Sequence, residues 1–285
     1  MCVTCGCSDG ANVTVTPIHN GQTINHLEHT HTLPDGTVIT HTHEARDRHE
    51  QDHHYHSLES AQLHAQRHRT TLTLEQNLLA KNDQLAAHNR DWFKQQQILA
   101  LNLVSSPGSG KTTLLTRTIQ DLQIQIPINV IEGDQATSHD AQRIRETGCG
   151  VVQINTGTGC HLEAAMVKKG LQELAPPAKS IVMIENVGNL VCPALFDLGE
   201  QAKVVILSVT EGEDKPLKYP HMFRASQVMI LNKIDLLPYV NFNVDHCLDY
   251  ARQVNPHLQI FQVSATTGEG LATWYDWLTN TVNSL

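Results

Sequence analysis

Between Leu101 and Leu115 the chain reads LNLVSSPGSGKTTLL, and its chemistry lies in two glycines, a lysine and two threonines. Gly108 and Gly110 allow backbone N–H groups to converge on an anion. A helix opening at Lys111-Thr112-Thr113 adds partial positive charge at its N-terminus. In this pattern the lysine, here Lys111, reaches β- and γ-phosphates, and the hydroxyl of Thr112 ligates Mg2+. Gly108, Ser109, Gly110, Lys111, Thr112 and Thr113 are therefore the candidate phosphate-binding residues. The usual pattern starts with glycine, and that position is Ser105 here.

Acidic groups follow at intervals suited to the same chemistry. Glu132-Gly133-Asp134-Gln135-Ala136-Thr137 and then Asp140 offer side chains that hold Mg2+ or orient an attacking water, with Asp134 and Asp140 the candidates. Glu185, at the head of Glu185-Asn186-Val187-Gly188-Asn189, is placed like the carboxylate that contacts the Mg2+ shell. Asn232-Lys233-Ile234-Asp235 then supplies N-K-x-D. The Asp235 carboxylate can accept from N1–H and N2–H2 of guanine, which adenine does not offer. Asn232 and the stem of Lys233 would support the ring, and Ser264-Ala265 would cover the O6 edge with backbone N–H. In this order the motifs favour GTP over ATP.

A second set of residues suits soft metals. Cys2, Cys5 and Cys7 form C-x-x-C-x-C. Three thiolates and a nearby amine or imidazole suit Zn2+, Ni2+ or Cu, and the residues leave the metal open. Cys160-His161 stands among glycines in NTGTGCH, and Cys192 follows Glu185 by seven residues. Adjacent residues face one ion only off a regular strand, where neighbours point to opposite faces. Three donors fall short of a closed tetrahedron, and a two-fold dimer would double them. Cys149 and Cys247 have no partner at ligand spacing and read as packing residues. His139 and His221 are unassigned.

These side chains must be positioned by regular elements, and the apolar pattern supplies them. Leu101, Leu103 and Val104 read as a buried strand. Further strands are expected at Ile128–Ile131, Val151–Ile154, Ser180–Ile184, Val204–Val209, Gln227–Leu231 and Gln259–Val263, alternating with helical stretches. That alternation predicts an α/β fold, a mostly parallel sheet with helices on both faces, whose ligands sit at the strands' C-terminal ends. Upstream, an amphipathic helix from Thr71 is expected to pack on this domain through Leu74, Leu78, Leu85 and Trp92-Phe93, with Thr73-x-x-Gln76 as its capping box. Twelve of the 18 histidines lie between His19 and His68. This polar segment predicts disorder, with at most a local hairpin at Val38-Ile39, and loose retention of divalent ions. The expected division is a metal-binding arm over 1–70 and the α/β domain over 71–285.

Composition sets outer bounds. A formal charge of -9 and a pI near 6.0 argue against nucleic acid as a partner. The chain has no run of about 18 apolar residues, so no membrane span is expected. The start, MCVTCGCSDG, lacks the pattern of a secretory signal, which makes cytoplasmic residence and reduced cysteines the expectation.

MCVTCGC, the histidine-rich arm, LNLVSSPGSGKTTLL, EGDQATSHDAQRI, NTGTGCHLEA, IENVGNLVCPA, SVTEGEDKPLKYP, NKIDLLP and VSATTGEG together resemble the hydrogenase nickel-incorporation GTPases, the HypB family within the dimeric SIMIBI class of P-loop proteins. The resemblance implies that Cys2, Cys5 and Cys7 match a tight nickel motif. It likewise implies that Cys160, His161 and Cys192 match a nickel/zinc site at the dimer interface. It implies slow, Mg2+-dependent GTP hydrolysis and a homodimer promoted by GTP or metal. The implied partners are the hydrogenase large-subunit precursor, which receives nickel, and a small nickel/zinc-binding accessory protein. The related urease nickel GTPases carry Cys-Pro-His, whereas Cys160 and His161 are adjacent here. Nickel storage or zinc buffering by the arm, beside a GTPase of other purpose, is the non-enzyme alternative.

Overall fold

The computed structural model describes residues 27–32, 38–43, 58–134, 139–157 and 159–285. Cys2, Cys5, Cys7, most of the histidine-rich segment, Gln135, Ala136, Thr137 and Thr158 lie outside them. The described residues divide into two units between Thr71 and Leu72. In the first, β1 (Leu27–Thr32) pairs antiparallel with β2 (Val38–His43). Structure is thus present where disorder was expected. The hairpin extends past Val38-Ile39 through stretches in which β-branched threonine, which favours extended backbone, alternates with histidine.

Helix α1 (Leu58–Gln96) starts thirteen residues before the expected Thr71. Residues 58–70 hold neither proline nor glycine, and Leu, Ala, Gln and Arg occur twice each, so nothing stops the helix. Thr73 consequently lies in the helix interior and heads no capping box. The buried face also differs from expectation. Leu78 is 64% exposed, while Asn82, Ala86, Asn89 and Phe93 are buried and Leu85 and Trp92 are half-buried. The helix closes with Gln97 at φ 54° and Ile98 N–H donating to Phe93 C=O at 2.9 Å, a left-handed C-terminal cap.

The second unit is built on a seven-stranded sheet of order β5-β4-β6-β3-β7-β8-β9, every pairing parallel. The strands are β3 (Leu99–Ser105), β4 (Ile128–Asp134), β5 (Gly150–Asn155), β6 (Ile181–Glu185), β7 (Ala202–Ser208), β8 (Val228–Asn232) and β9 (Gln259–Gln262). Helices α2 (Lys111–Leu122), α3 (His139–Arg145), α4 (Ala164–Leu174), α5 (Lys215–Lys218), α6 (Pro220–Ala225), α7 (Val244–Val254) and α8 (Leu271–Asn283) complete it. Every residue of β3, β6, β7 and β8 is buried, as continuous apolar runs in a covered parallel sheet must be. On one face Leu115, Ile119, Ile144, Trp274 and Leu278 pack on the strands. On the other, Phe93, Leu162 and Val167 cover β4 and β6, while Phe223, Cys247 and Ala251 cover β7 and β8.

The expected strands are all present, with shifted ends that matter for the site. β4 runs on through Glu132 to Asp134, and β6 ends on Glu185. Asp134 and Glu185 are the last residues of their strands, not loop residues beyond them, and Glu132 lies within β4. Among the described residues no helix is long and apolar enough to cross a membrane.

Candidate functional site

The central strand β3 ends at Ser105, and the turn after it delivers the chain into α2. Gly110 is the N-cap of α2 at φ 91°, and Gly108 stands at φ 78°. A Cβ on Gly110 would lie 2.6 Å from Asn232 Nδ2. Glycine is required there by backbone conformation and by space. The loop is tied down from β8: Asn232 Nδ2 donates to Ser109 C=O at 3.0 Å, and Lys233 Nζ to Gly108 C=O at 2.7 Å. Asn232 Oδ1 accepts from Ala265 N–H at 3.2 Å. The residues assigned to cradle a base therefore also hold the phosphate loop, and the Ala265 N–H expected at the base edge is engaged by Asn232. Ser264 Oγ accepts from Thr267 N–H. The Asp235 carboxylate has no partner among the described residues. The Ser105 hydroxyl bonds the Ser106 C=O, and Lys215 Nζ donates to Ser106 Oγ at 2.9 Å.

A cleft of about 560 Å³ opens over the loop, lined by residues 105–113 and by Glu132, Asp134, Asp140, Arg143, Glu185 and Lys233 among others. Asp235, Ser264 and Ala265 lie outside that lining. Glu185 Oε1 accepts from Lys111 Nζ and from Thr112 Oγ1, both at 2.7 Å. Its Oε2, and Glu132 Oε2, are buried with no hydrogen-bond partner. Glu132 and Glu185 face each other in register across β4 and β6. Burial, then the neighbouring Glu185 and Asp134 carboxylates, push the Glu132 carboxyl up to about 7, against the pull of Lys111. Crowded carboxylates with orphaned oxygens beside a threonine hydroxyl fit a hard divalent cation such as Mg2+. Asp140 is more peripheral, near Arg143 at 3.5 Å, and Arg143 also donates to Thr113 Oγ1 at 3.3 Å.

Sequence reasoning brought the stretch from Glu132 to this site and chose Asp134 and Asp140 within it, without singling out Glu132, and it did not reach Arg143. The signal for Glu132 was its spacing of two from Asp134, which puts both on one face of a strand. Arg143 had no signal, since only the position of α3 brings it to the cleft.

Next to the cleft, Cys160, His161 and Cys192 bring their ligand atoms within 4.8 Å of one another. The sulfurs of Cys160 and Cys192 are 2.9 Å apart, and both cysteines are free. Cys160 Sγ lies 3.6 Å from His161 Nδ1. Burial lowers the His161 pKa, with Glu163 opposing, which favours the neutral imidazole a metal needs. Its Nε2 is buried without a hydrogen-bond partner, and its ring packs on Phe196 at 3.9 Å between centroids. The ligand loop is fixed by close packing: a Cβ on Gly133 would meet the Leu162 side chain at 2.7 Å. Asn189 Nδ2 holds Cys160 C=O at 3.2 Å. Two soft sulfurs and one imidazole suit Ni2+, Zn2+ or Cu, and they leave a coordination position open.

A parallel sheet with a phosphate loop at the end of its central strand defines a P-loop nucleotide-binding protein. Residues 99–262 match the CobW/HypB/UreG nucleotide-binding domain. The chain is 61% identical over 207 residues to the hydrogenase maturation factor HypB of Rhizobium leguminosarum bv. viciae, spanning 73% of this chain and 69% of that protein. It is 37% identical over 224 residues to the hydrogenase/urease maturation factor HypB of Helicobacter pylori, spanning 77% and 92%. The crystal structure of HypB from Helicobacter pylori in complex with nickel superposes with a TM-score of 0.67 at 37% identity, over 72% of this chain and 96% of that one. HypB from Archaeoglobus fulgidus gives 0.67 at 36%, over 71% and 99%. The chain belongs to the CobW/HypB/UreG family, on its HypB branch.

Proposed function

We propose that the protein is a GTP-hydrolysing nickel metallochaperone that supplies nickel to the large-subunit precursor of a [NiFe] hydrogenase. The observation that carries this reading is the Cys160–His161–Cys192 cluster, set beside a nucleotide cleft and open at one coordination position. An ion held by three donors is retained yet can be passed to an acceptor. The names of the relatives and the nickel complex of the Helicobacter pylori protein support hydrogenase maturation and nickel over other purposes and metals.

In this reading Lys111 and the N–H groups around Gly108–Thr113 hold the phosphates, and Asp235 selects guanine. Thr112 and Glu185 would hold Mg2+, which when bound neutralises charge on the phosphate oxygens. Asp134 and Asp140 orient the water whose oxygen attacks the γ-phosphorus, and the bond to GDP breaks as phosphate leaves. Hydrolysis ends the state in which the cleft grips a γ-phosphate and so resets the metal site. Two copies related by a two-fold axis complete the ligand set, and Zn2+ competes for the same sulfurs. The working division is a Cys/His-rich arm over 1–70, where Cys2, Cys5 and Cys7 bind nickel and the histidines store it, and a GTPase domain over 71–285. The protein acts in the cytoplasm with a small nickel/zinc-binding accessory protein.

A deletion strain tests this reading. It is expected to lose hydrogenase activity, to regain it with excess nickel, and to be complemented by the full chain but not by Cys160→Ser or Cys192→Ser. Full complementation by both variants at limiting nickel would reject the cluster as the delivery site. Loss of urease instead of hydrogenase would reassign the acceptor.

A further inference from the structure

From Asn186 in the lining of the cleft, a chain of buried polar side chains runs behind the thiol cluster. Asn186 is 1% exposed. Its Oδ1 accepts from Leu162 N–H at 3.1 Å and Val187 N–H at 3.0 Å, while its Nδ2 donates to Asn102 Oδ1 at 3.2 Å. Asn102, fully buried on β3, donates to Glu200 Oε1 at 3.0 Å. The other Glu200 oxygen accepts from Leu198 N–H at 2.7 Å. Lys203 Nζ stands 3.8 Å from Glu200 Oε1 and donates to Pro193 C=O at 2.7 Å and Phe196 C=O at 3.2 Å.

The attachment points give this chain its meaning. Leu162 follows His161, Pro193 follows Cys192, and Asn186 follows Glu185, the carboxylate held by Lys111 and Thr112. The polar chain thus meets the backbone one residue beyond two metal-site ligands and one residue beyond the acid of the nucleotide cleft. Asn186, Glu200 and Lys203 satisfy backbone N–H and C=O groups of the segments they join, which an apolar side chain would leave unmet. Buried partners also cannot part singly without leaving a donor or acceptor unmet, so the connected segments move together.

We propose that Asn186, anchored by Asn102, is the positioning residue that transmits the state of the nucleotide cleft to the Cys160–His161–Cys192 geometry. The proposal rests on the nickel and GTP reading above. When Lys111 and Thr112 turn from Glu185 to a nucleotide, the end of β6 is released, and Asn186 Oδ1 draws Leu162 and the His161 loop with it. Lys203 holds the Cys192 segment at the far end, so the two ligand loops shift relative to one another.

The test uses the full chain with Cys2, Cys5 and Cys7 changed to serine, so that thiolate-to-nickel charge transfer in the near ultraviolet reports on Cys160 and Cys192. Nickel is titrated with GDP and with a non-hydrolysable GTP analogue, and nucleotide affinity is measured with a fluorescent analogue. The parent is expected to show nickel affinities differing at least about fivefold between the two nucleotides. Asn186→Ala is expected to bring that ratio to about one. Asn102→Leu, outside the cleft lining, is expected to do the same from the other side of the bond with nucleotide affinity held within about threefold, and it decides the question alone if Asn186→Ala does not fold. A ratio preserved in the folded variants overturns the proposal and leaves the metallochaperone reading intact. So does a parallel loss of nickel and nucleotide affinity, the mark of general damage. Equal nickel affinities in the parent overturn the nucleotide switch and the proposal together.

Discussion

Gly110 is the residue whose replacement is most directly computed from its surroundings. An L-residue at φ 91° is strained, and a Cβ would press on Asn232 Nδ2 at 2.6 Å. Left-handed backbone alone costs about 1–2 kcal/mol. Gly110→Ala is therefore expected to weaken GDP binding about tenfold or more, read by fluorescent-nucleotide titration. Asp235→Asn presents a donor where guanine also donates. Losing two charge-assisted hydrogen bonds should reduce GTP affinity at least about 100-fold and shift preference toward a 2-oxo purine, read by competition with xanthosine triphosphate. Glu132 gives a pH signature. Its carboxyl is raised from 4.5 to about 7, so the folded, cation-free protein binds more protons than the unfolded chain between those values. Stability is unaffected by this group below 4.5 and is lost progressively as pH rises toward 7, by about 3 kcal/mol in full. Glu132→Gln removes that loss. The variant should gain urea resistance over the parent at pH 8 and little at pH 5; an equal difference at both pH values would contradict the assignment.

At the scale of elements, the asparagines of α1 deserve the sharpest prediction. Asn82 Oδ1 accepts from Ala164 N–H, and its Nδ2 donates to Asp197 C=O; Asn89 Nδ2 donates to both Ala164 C=O and Leu198 C=O. One helix thereby fastens the segments that follow His161 and Cys192. Asn89→Ala leaves two buried carbonyls short of a donor and should destabilise by about 1–3 kcal/mol, visible as a lowered urea midpoint. Of the expected packing residues, Phe93 is buried and Leu85 and Trp92 half-buried, while Leu78 stands off the buried face. Amphipathicity assumes that apolar residues mark the buried stripe, whereas α1 seals loop carbonyls with amides and leaves Leu78 in solvent. By contrast, the strands were legible, because a parallel sheet covered on both faces requires uninterrupted apolar runs. The phosphate loop and the Cys-His pair were legible because each needs special residues at close spacing, while of N-K-x-D the structure ties Asn232 and Lys233 to the loop. Glu132, Arg143 and the Asn102–Asn186–Glu200–Lys203 chain were not, since their partners are set by strand register and helix placement across 98 residues or fewer of intervening sequence.

For the whole molecule, the arrangement places a thiol–imidazole site and a phosphate site at the ends of neighbouring strands of one sheet. Glu185 closes β6 between them, bonded to Lys111 and Thr112 on one side and continued by Asn186 toward Leu162 on the other. In the proposed coupling, a ligand that favours one arrangement of Glu185 alters affinity at the other site, and by linkage the effect is reciprocal. The account therefore stands or falls on one thermodynamic quantity. Calorimetric titration of nickel into the full chain carrying Cys2→Ser, Cys5→Ser and Cys7→Ser, once with GDP and once with a non-hydrolysable GTP analogue, measures it. The account predicts affinities that differ at least about fivefold and a difference that vanishes in Cys160→Ser. Equal affinities in the two nucleotide states, with nickel bound at Cys160 and Cys192, would contradict it.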